Sequence, residues 1–217
     1  MSGNQSRIFT GLSFLILLCY LSSGKAAFTG IALAIHDEET DWQISSETVP
    51  THIRKITLSA EEKTTGNLRV GAYLGEMSLR LESANQLPAQ KFNSQFIGLY
   101  LRLPLKISPT FSFHSKFSYT FYLGNTSQPD IEIEWYDSRL NFGFSAQLQN
   151  IRLMPYVLYQ SIDGDISTDT SSDNIKLKEN FTQGINLDYY TSTSAYIRLQ
   201  VTTGGSESFM LQFTREY

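Results

Sequence analysis

The chain of 217 residues holds one cysteine, Cys19. No internal disulfide can form, so no covalent framework shapes the fold. Proline is scarce, at six residues, and histidine scarcer, at three. Basic blocks are missing: no run of five Lys or Arg occurs, and the net charge is -4. That argues against a nucleic-acid partner. Beyond the N-terminus no long apolar run remains, which excludes a helical membrane protein.

What the chain does have is 14 Phe, 12 Tyr and 14 Gly, a composition that favours strands over helices. Its length fits one domain.

The first residues follow the three-part plan of a secretory signal peptide. Arg7 is the only charge before Lys25, and Ile8 to Tyr20 is almost wholly apolar. Gly24 and Ala26 suit a cut after Ala26, giving a targeting segment at 1–26 and a mature chain at 27–217. A transmembrane anchor needs roughly 20 apolar residues, and this run is shorter. Leu17 and Leu18 precede Cys19 where a lipoprotein needs small residues, so Cys19 is read as part of the removed segment.

From Phe28 onward, apolar and polar residues alternate with a period of two, the mark of strands with two unlike faces. The last stretch is clearest. Phe181, Ile185, Leu187 and Tyr189 alternate with Thr182, Asn186 and Asp188. Tight turns at Thr191–Thr193 and Gly204–Gly205 separate it from two more such runs, an antiparallel meander. Earlier strands are expected at Phe28–Asp37, His52–Glu61, Leu68–Glu82, Gln95–Leu103, Pro109–Leu123, Ile131–Leu148 and Ile151–Ile162. In Ile131–Leu148 the apolar parity flips, from Ile131, Ile133 and Trp135 to Leu140, Phe142 and Phe144. One inserted residue near Asp137–Ser138, a β-bulge, accounts for such a flip; a two-residue hairpin is the alternative. The count is ten strands, or eight if the barrel starts at Leu68.

Alternation alone does not say which face is inside. Connections alternate short and long, aromatics such as Tyr73, Trp135, Tyr159 and Phe181 fall near strand ends, and the polar face carries many tyrosines. All three favour an apolar face turned outward to lipid. The fallback is a soluble, lipocalin-like periplasmic barrel with the apolar face inward.

With these features the chain resembles small bacterial outer-membrane β-barrel proteins. The terminal Phe209, Leu211, Phe213 and Tyr217 are similar to that family's assembly signal, with Arg215 departing from it. The resemblance implies an all-β, antiparallel, up-and-down transmembrane barrel in the bacterial outer membrane. Its implied partners are outer-membrane lipid, lipopolysaccharide and the barrel-assembly machinery.

In that sense of the sheet, Glu76, Arg80, Glu82, Arg102, His114, Lys116, Glu132, Glu134, Arg152, Asp188 and Arg198 face inward. Both signs are balanced, so the expectation is a salt-bridged interior that largely plugs the barrel. A narrow small-solute channel is the alternative. A lipid-modifying enzyme is the third class, with His114 near Ser112 and Ser118 as its best base. No catalytic residue is assigned. The run from Asp163 to Asp169 fails the calcium-loop pattern because Thr168 stands where Gly is needed, so no metal and no cofactor are expected. A structural or surface-interaction role is expected, through loops 38–51, 83–94, 124–130 and 163–180, with no ligand named.

Overall fold

The computed structural model describes residues 29–64, 67–83, 89–126, 131–168 and 172–217, and among these it contains strands and turns but no helix. The strands are β1 (Gly30–Ile44), β2 (Glu47–Lys63), β3 (Arg69–Leu81), β4 (Gln90–Lys106), β5 (Phe111–Thr126) and β6 (Ile131–Leu148). They continue with β7 (Ile151–Thr168), β8 (Ser172–Leu177), β9 (Phe181–Ser192), β10 (Ala195–Gly204) and β11 (Ser206–Glu216). β11 returns to β1 and pairs with it from Gly30↔Glu216 to Thr40↔Ser206. The result is a closed, antiparallel, ten-stranded barrel of β1–β7 and β9–β11. Closure satisfies every ladder and leaves no edge. The expected targeting segment, 1–26, lies outside the described residues.

The outer face of one half of the barrel is an apolar belt. Leu33, Ile56, Leu74, Phe117, Phe142, Val157, Leu199 and Phe213 are all exposed there. A continuous belt of this kind is the surface that lipid, not water, covers. Spanning lipid takes about 9–11 residues per strand, whereas β6 and β7 each run for 18. The surplus projects from the loop end as a head.

Polarity inverts where the belt stops. Outside, β1 passes from Ile31, Leu33 and Ile35 to Asp37, Glu39 and Asp41, and β3 from Val70, Ala72 and Leu74 to Glu76, Ser78 and Arg80. Inside, the change is the reverse. Beneath the belt the inward residues are largely polar; in the head they are Trp42, Ile44, Val49, Ile53, Leu79, Leu81, Phe92, Ile133, Trp135, Ile162, Ile166, Ile175 and Leu177, all buried. The head therefore has the apolar core of a water-soluble barrel, set on a membrane barrel with a polar core.

The head is also narrower. Ile151–Tyr159 of β7 pair with β9, but Asp163–Ser167 pair with β8. β8 in turn pairs with Trp42–Ile44 of β1. One short strand thus replaces β9, β10 and β11, and the ring steps from ten strands to eight (β1–β8). A narrower ring is one that side chains alone can fill.

Several expectations change accordingly. The parity flip in β6 is not a bulge: the register with β5 and β7 runs unbroken past Asp137 and Ser138. The strand keeps its faces, and the environment inverts around it. The register shift the barrel does contain lies at Ala195/Tyr196. Segment 38–51 is paired strand closed by a turn at Ser45–Ser46, and much of 163–180 is β7 and β8. Tyr73 and Trp135 are not girdle residues: both point inward, Trp135 fully buried and Tyr73 hydrogen-bonded to Thr120.

Candidate functional site

The polar interior below the head is built from alternate residues of neighbouring strands. Period two puts Lys55, Thr57, Ser59 and Glu61 of β2 on the inward face, and His114, Lys116, Ser118 and Thr120 of β5 opposite them. Three ion networks result.

The first lies just under the apolar core. Glu38 accepts from Lys55 Nζ at 3.3 Å and from Arg139 Nη2 at 3.3 Å. Asp137 accepts from Arg139 Nε at 2.8 Å and from the Gln160 amide at 3.2 Å. Lys55 also donates to the Tyr122 hydroxyl at 3.2 Å, tying this network to the aromatic residues above.

The second lies near the chain ends. Glu61 accepts from Arg69 and Arg102, each at 2.6 Å, and from the Tyr100 hydroxyl at 3.1 Å. Arg69 reaches on to Glu216 at 3.0 Å, which links β3 to the closing strand β11. Tyr100 can lie along the wall because Gly71 stands directly across from it; a β-carbon there would come 2.2 Å from the ring.

The third centres on Asp188. Arg198 donates Nε to Oδ1 at 2.6 Å, and Arg152 donates Nη2 to Oδ2 at 2.5 Å. Tyr190 and Tyr196 flank the guanidinium of Arg152 at 5.3 and 5.5 Å. Glu38, Glu61, Asp137 and Asp188 are buried and charge-paired, the condition under which interior charge is tolerated.

Between the networks lies a cavity of about 240 Å³. Its lining runs from Gly30 and Arg152, toward the turn end, up to Phe96 and Tyr122. Above it, Phe96, Tyr122, Trp135 and Trp42 form a chain of ring contacts at 5.3, 4.5 and 5.3 Å that crosses the bore.

The expected interior residues divide. Arg102, His114, Lys116, Arg152 and Arg198 line this cavity, with Asp188 behind the last two. Glu76, Arg80 and Glu82 do not join them: they are exposed, and Glu76 and Arg80 lie on the outer face of β3 in the head. Glu132 and Glu134 likewise share the outer parity of β6. The reason is the inversion described above, which hands the inward positions of the head to apolar residues. His114 meets Ser145 at 2.7 Å, rather than Ser112 or Ser118. Ser145 is buried, a poor place for a nucleophile that must reach substrate.

Glu38, Lys55, Glu61, Arg69, Asp137 and Arg139 were missed by sequence reasoning. For β2 the signal was present, since Lys55 and Glu61 oppose Ile56 and Leu58 at period two. For Asp137 and Arg139 it was masked by reading the flip as a bulge.

On the outer surface of the head, Asp37 accepts from His52 Nε2 at 2.5 Å and from Arg54 Nε at 2.9 Å. Desolvation pushes this carboxyl up, but the hydrogen bonds and charge of His52 and Arg54 outweigh it and hold its pKa below the ordinary 3.8. Among the described residues no cluster of His, Cys, Asp or Glu has metal-holding geometry.

No family model and no curated protein matches the chain. Solved structures do. The translocator domain of the autotransporter NalP from Neisseria meningitidis superposes over 98% of this chain and 96% of its own, with a TM-score of 0.50 at 10% identity. The β domain of the Bordetella autotransporter BrkA covers 87% and 100% at 0.49 and 9%. The outer membrane protease OmpT of Escherichia coli covers 90% and 100% at 0.41 and 10%. At these identities the likeness is one of fold, that of bacterial outer-membrane β-barrels.

Proposed function

We propose that this chain is a bacterial outer-membrane barrel with a sealed bore, which serves a structural or surface-interaction role through its projecting head. The observation that carries the proposal is the apolar core of the head. A conducting bore needs a continuous wet path, and here the path meets Phe92, Leu79, Ile133, Trp135 and Trp42, each exposed by 1% or less. The strands around them are held by continuous ladders and closed by β8, so the seal is part of the wall rather than a loop folded into it.

Around the belt the partners are outer-membrane lipid and, at the level of Arg54 and Arg80, lipopolysaccharide. The barrel-assembly machinery fits β11, where Phe209, Leu211 and Phe213 all face outward and Tyr217 follows. Export through segment 1–26 belongs to the same proposal, and N-terminal sequencing of the membrane-inserted protein should begin at Ala27.

Planar-bilayer recording on the purified barrel tests the seal. The expected trace is flat, with no discrete steps at either polarity. Reproducible ohmic steps from a folded, heat-modifiable preparation would replace this reading with that of a narrow channel.

A further inference from the structure

Seven cationic side chains stand in the barrel interior: Lys55, Arg102, Lys116, Arg139, Arg152 and Arg198 line the cavity, and Arg69 lies beside it on Glu61. Five carboxylates face them: Glu38, Glu61, Asp137, Asp188 and Glu216. Every one of the five is already engaged by a cation other than Lys116. With histidines neutral, seven against five leaves two positive charges uncompensated inside a protein wall.

Lys116 is where that excess is concentrated. It has no carboxylate within ion-pair distance among the described residues, and its nearest charged cross-strand neighbour is another cation, Arg102. Like charges directly opposite in a ladder are destabilising. Among the described residues its one close partner is the ring of Tyr100, 4.6 Å from Nζ. Unlike the half-buried arginines around it, Lys116 is exposed, although it stands inside the barrel and lines the cavity. An ammonium with three donors and one aromatic contact is left with directions to fill.

We propose that the cavity is a binding site for a small divalent oxyanion, with Lys116 as its principal charge partner. Asn141, directly across from Lys116, and Gln200 and Gln212 on the facing wall supply neutral donors. A cavity of about 240 Å³ is roughly eight water volumes, room for a phosphate-sized group or a small acid. The apolar core closes the loop end, so the anion enters from the turn end, beside Gly30 and the chain termini. This site is independent of the sealed-bore proposal: a closed barrel and a leaking one can both hold it.

The test is isothermal titration of the full-length folded barrel, in zwitterionic detergent at low ionic strength, with inorganic phosphate and with sulfate. The expected result is saturable one-site binding. Lys116→Met should weaken it about tenfold to a hundredfold, the loss of one charged hydrogen-bonding partner, and Lys116→Arg should largely retain it. A second variant guards against a misfolded first one. Asn141→Asp keeps the volume and supplies Lys116 with its own carboxylate, so it should fold normally and lose phosphate and sulfate binding together. The proposal is overturned if either anion gives no more heat than sodium chloride at matched ionic strength. Equal affinity in the wild type and in Asn141→Asp would overturn it as well.

Discussion

Trp42 of β1 and Trp135 of β6 meet edge to face across the head, ring centroids 5.3 Å apart at 70°. They come from well-separated strands of the eight-strand ring, and both are essentially inaccessible to solvent. In the sealed-bore proposal, this contact is the point at which the bore is blocked. Trp135→Ala removes one side of it and the stacking partner of Tyr122. Loss of a large buried aromatic costs about 3–5 kcal/mol. Urea titration, followed by the fraction that migrates as folded barrel on unboiled gels, should show that loss; a cost within experimental error would mean the head is not held by this core.

Asp188 is expected to be more critical than either of its arginines. Asp188→Asn leaves Arg152 and Arg198 buried without their shared anion, and breaking a buried pair costs about 3–5 kcal/mol. Arg198→Met leaves Asp188 its bond to Arg152 and should cost less. A double-mutant cycle on unfolding midpoints checks the order. Equal costs for the two single variants would show that the network is not organised around the carboxylate.

Gly71 is required by Tyr100. A methyl group at residue 71 must displace the ring, breaking its hydrogen bond to Glu61 and its contact with Lys116. Gly71→Ala should cost about 1–3 kcal/mol, the usual scale of overpacking, and Gly71→Ala with Tyr100→Leu should recover part of it. The comparison is made by thermal unfolding; absence of recovery would locate the clash elsewhere.

Acid should loosen the head through Asp37. Its folded-state pKa is lowered below 3.8 by His52 and Arg54 against the opposing effect of desolvation. A depressed carboxyl stabilises the fold above its unfolded pKa and loses that contribution as pH falls through the folded value. The window is therefore pH 4 and below. Asp37→Asn should be slightly less stable at pH 7 and show a flatter pH dependence below pH 4. Because the side chain is substantially exposed, the effect is small. Parallel acid titrations of wild type and variant decide it; identical slopes would remove Asp37 from the acid response.

Much of this barrel was legible in one dimension. Phe111, Phe117, Tyr119 and Phe121 alternate with His114, Lys116, Ser118 and Thr120 cleanly enough to give β5 and both its faces. The ten-strand count followed from such runs and the turns between them. Arg102, Lys116, Arg152, Asp188 and Arg198 were placed inward by the same rule, because they lie below the level at which polarity inverts.

The charges misplaced in the head share one cause. Glu76, Arg80 and Glu82 alternate with Met77, Leu79 and Leu81 as regularly as any residues in the chain. Period two separates the two faces of a strand but does not say which face is inside. That assignment depends on the medium around the strand, and here the medium changes from lipid to water partway up. The sequence by itself determined the ten strands that cross the belt, their alternation and the belt itself, since these are local or periodic properties of the chain. Only the tertiary structure decided where the belt ends, that β8 takes the place of three strands above it, and which charges meet at Glu38, Glu61 and Asp188. Those are consequences of which strands become neighbours on closure, and closure joins residues as far apart as Gly30 and Glu216.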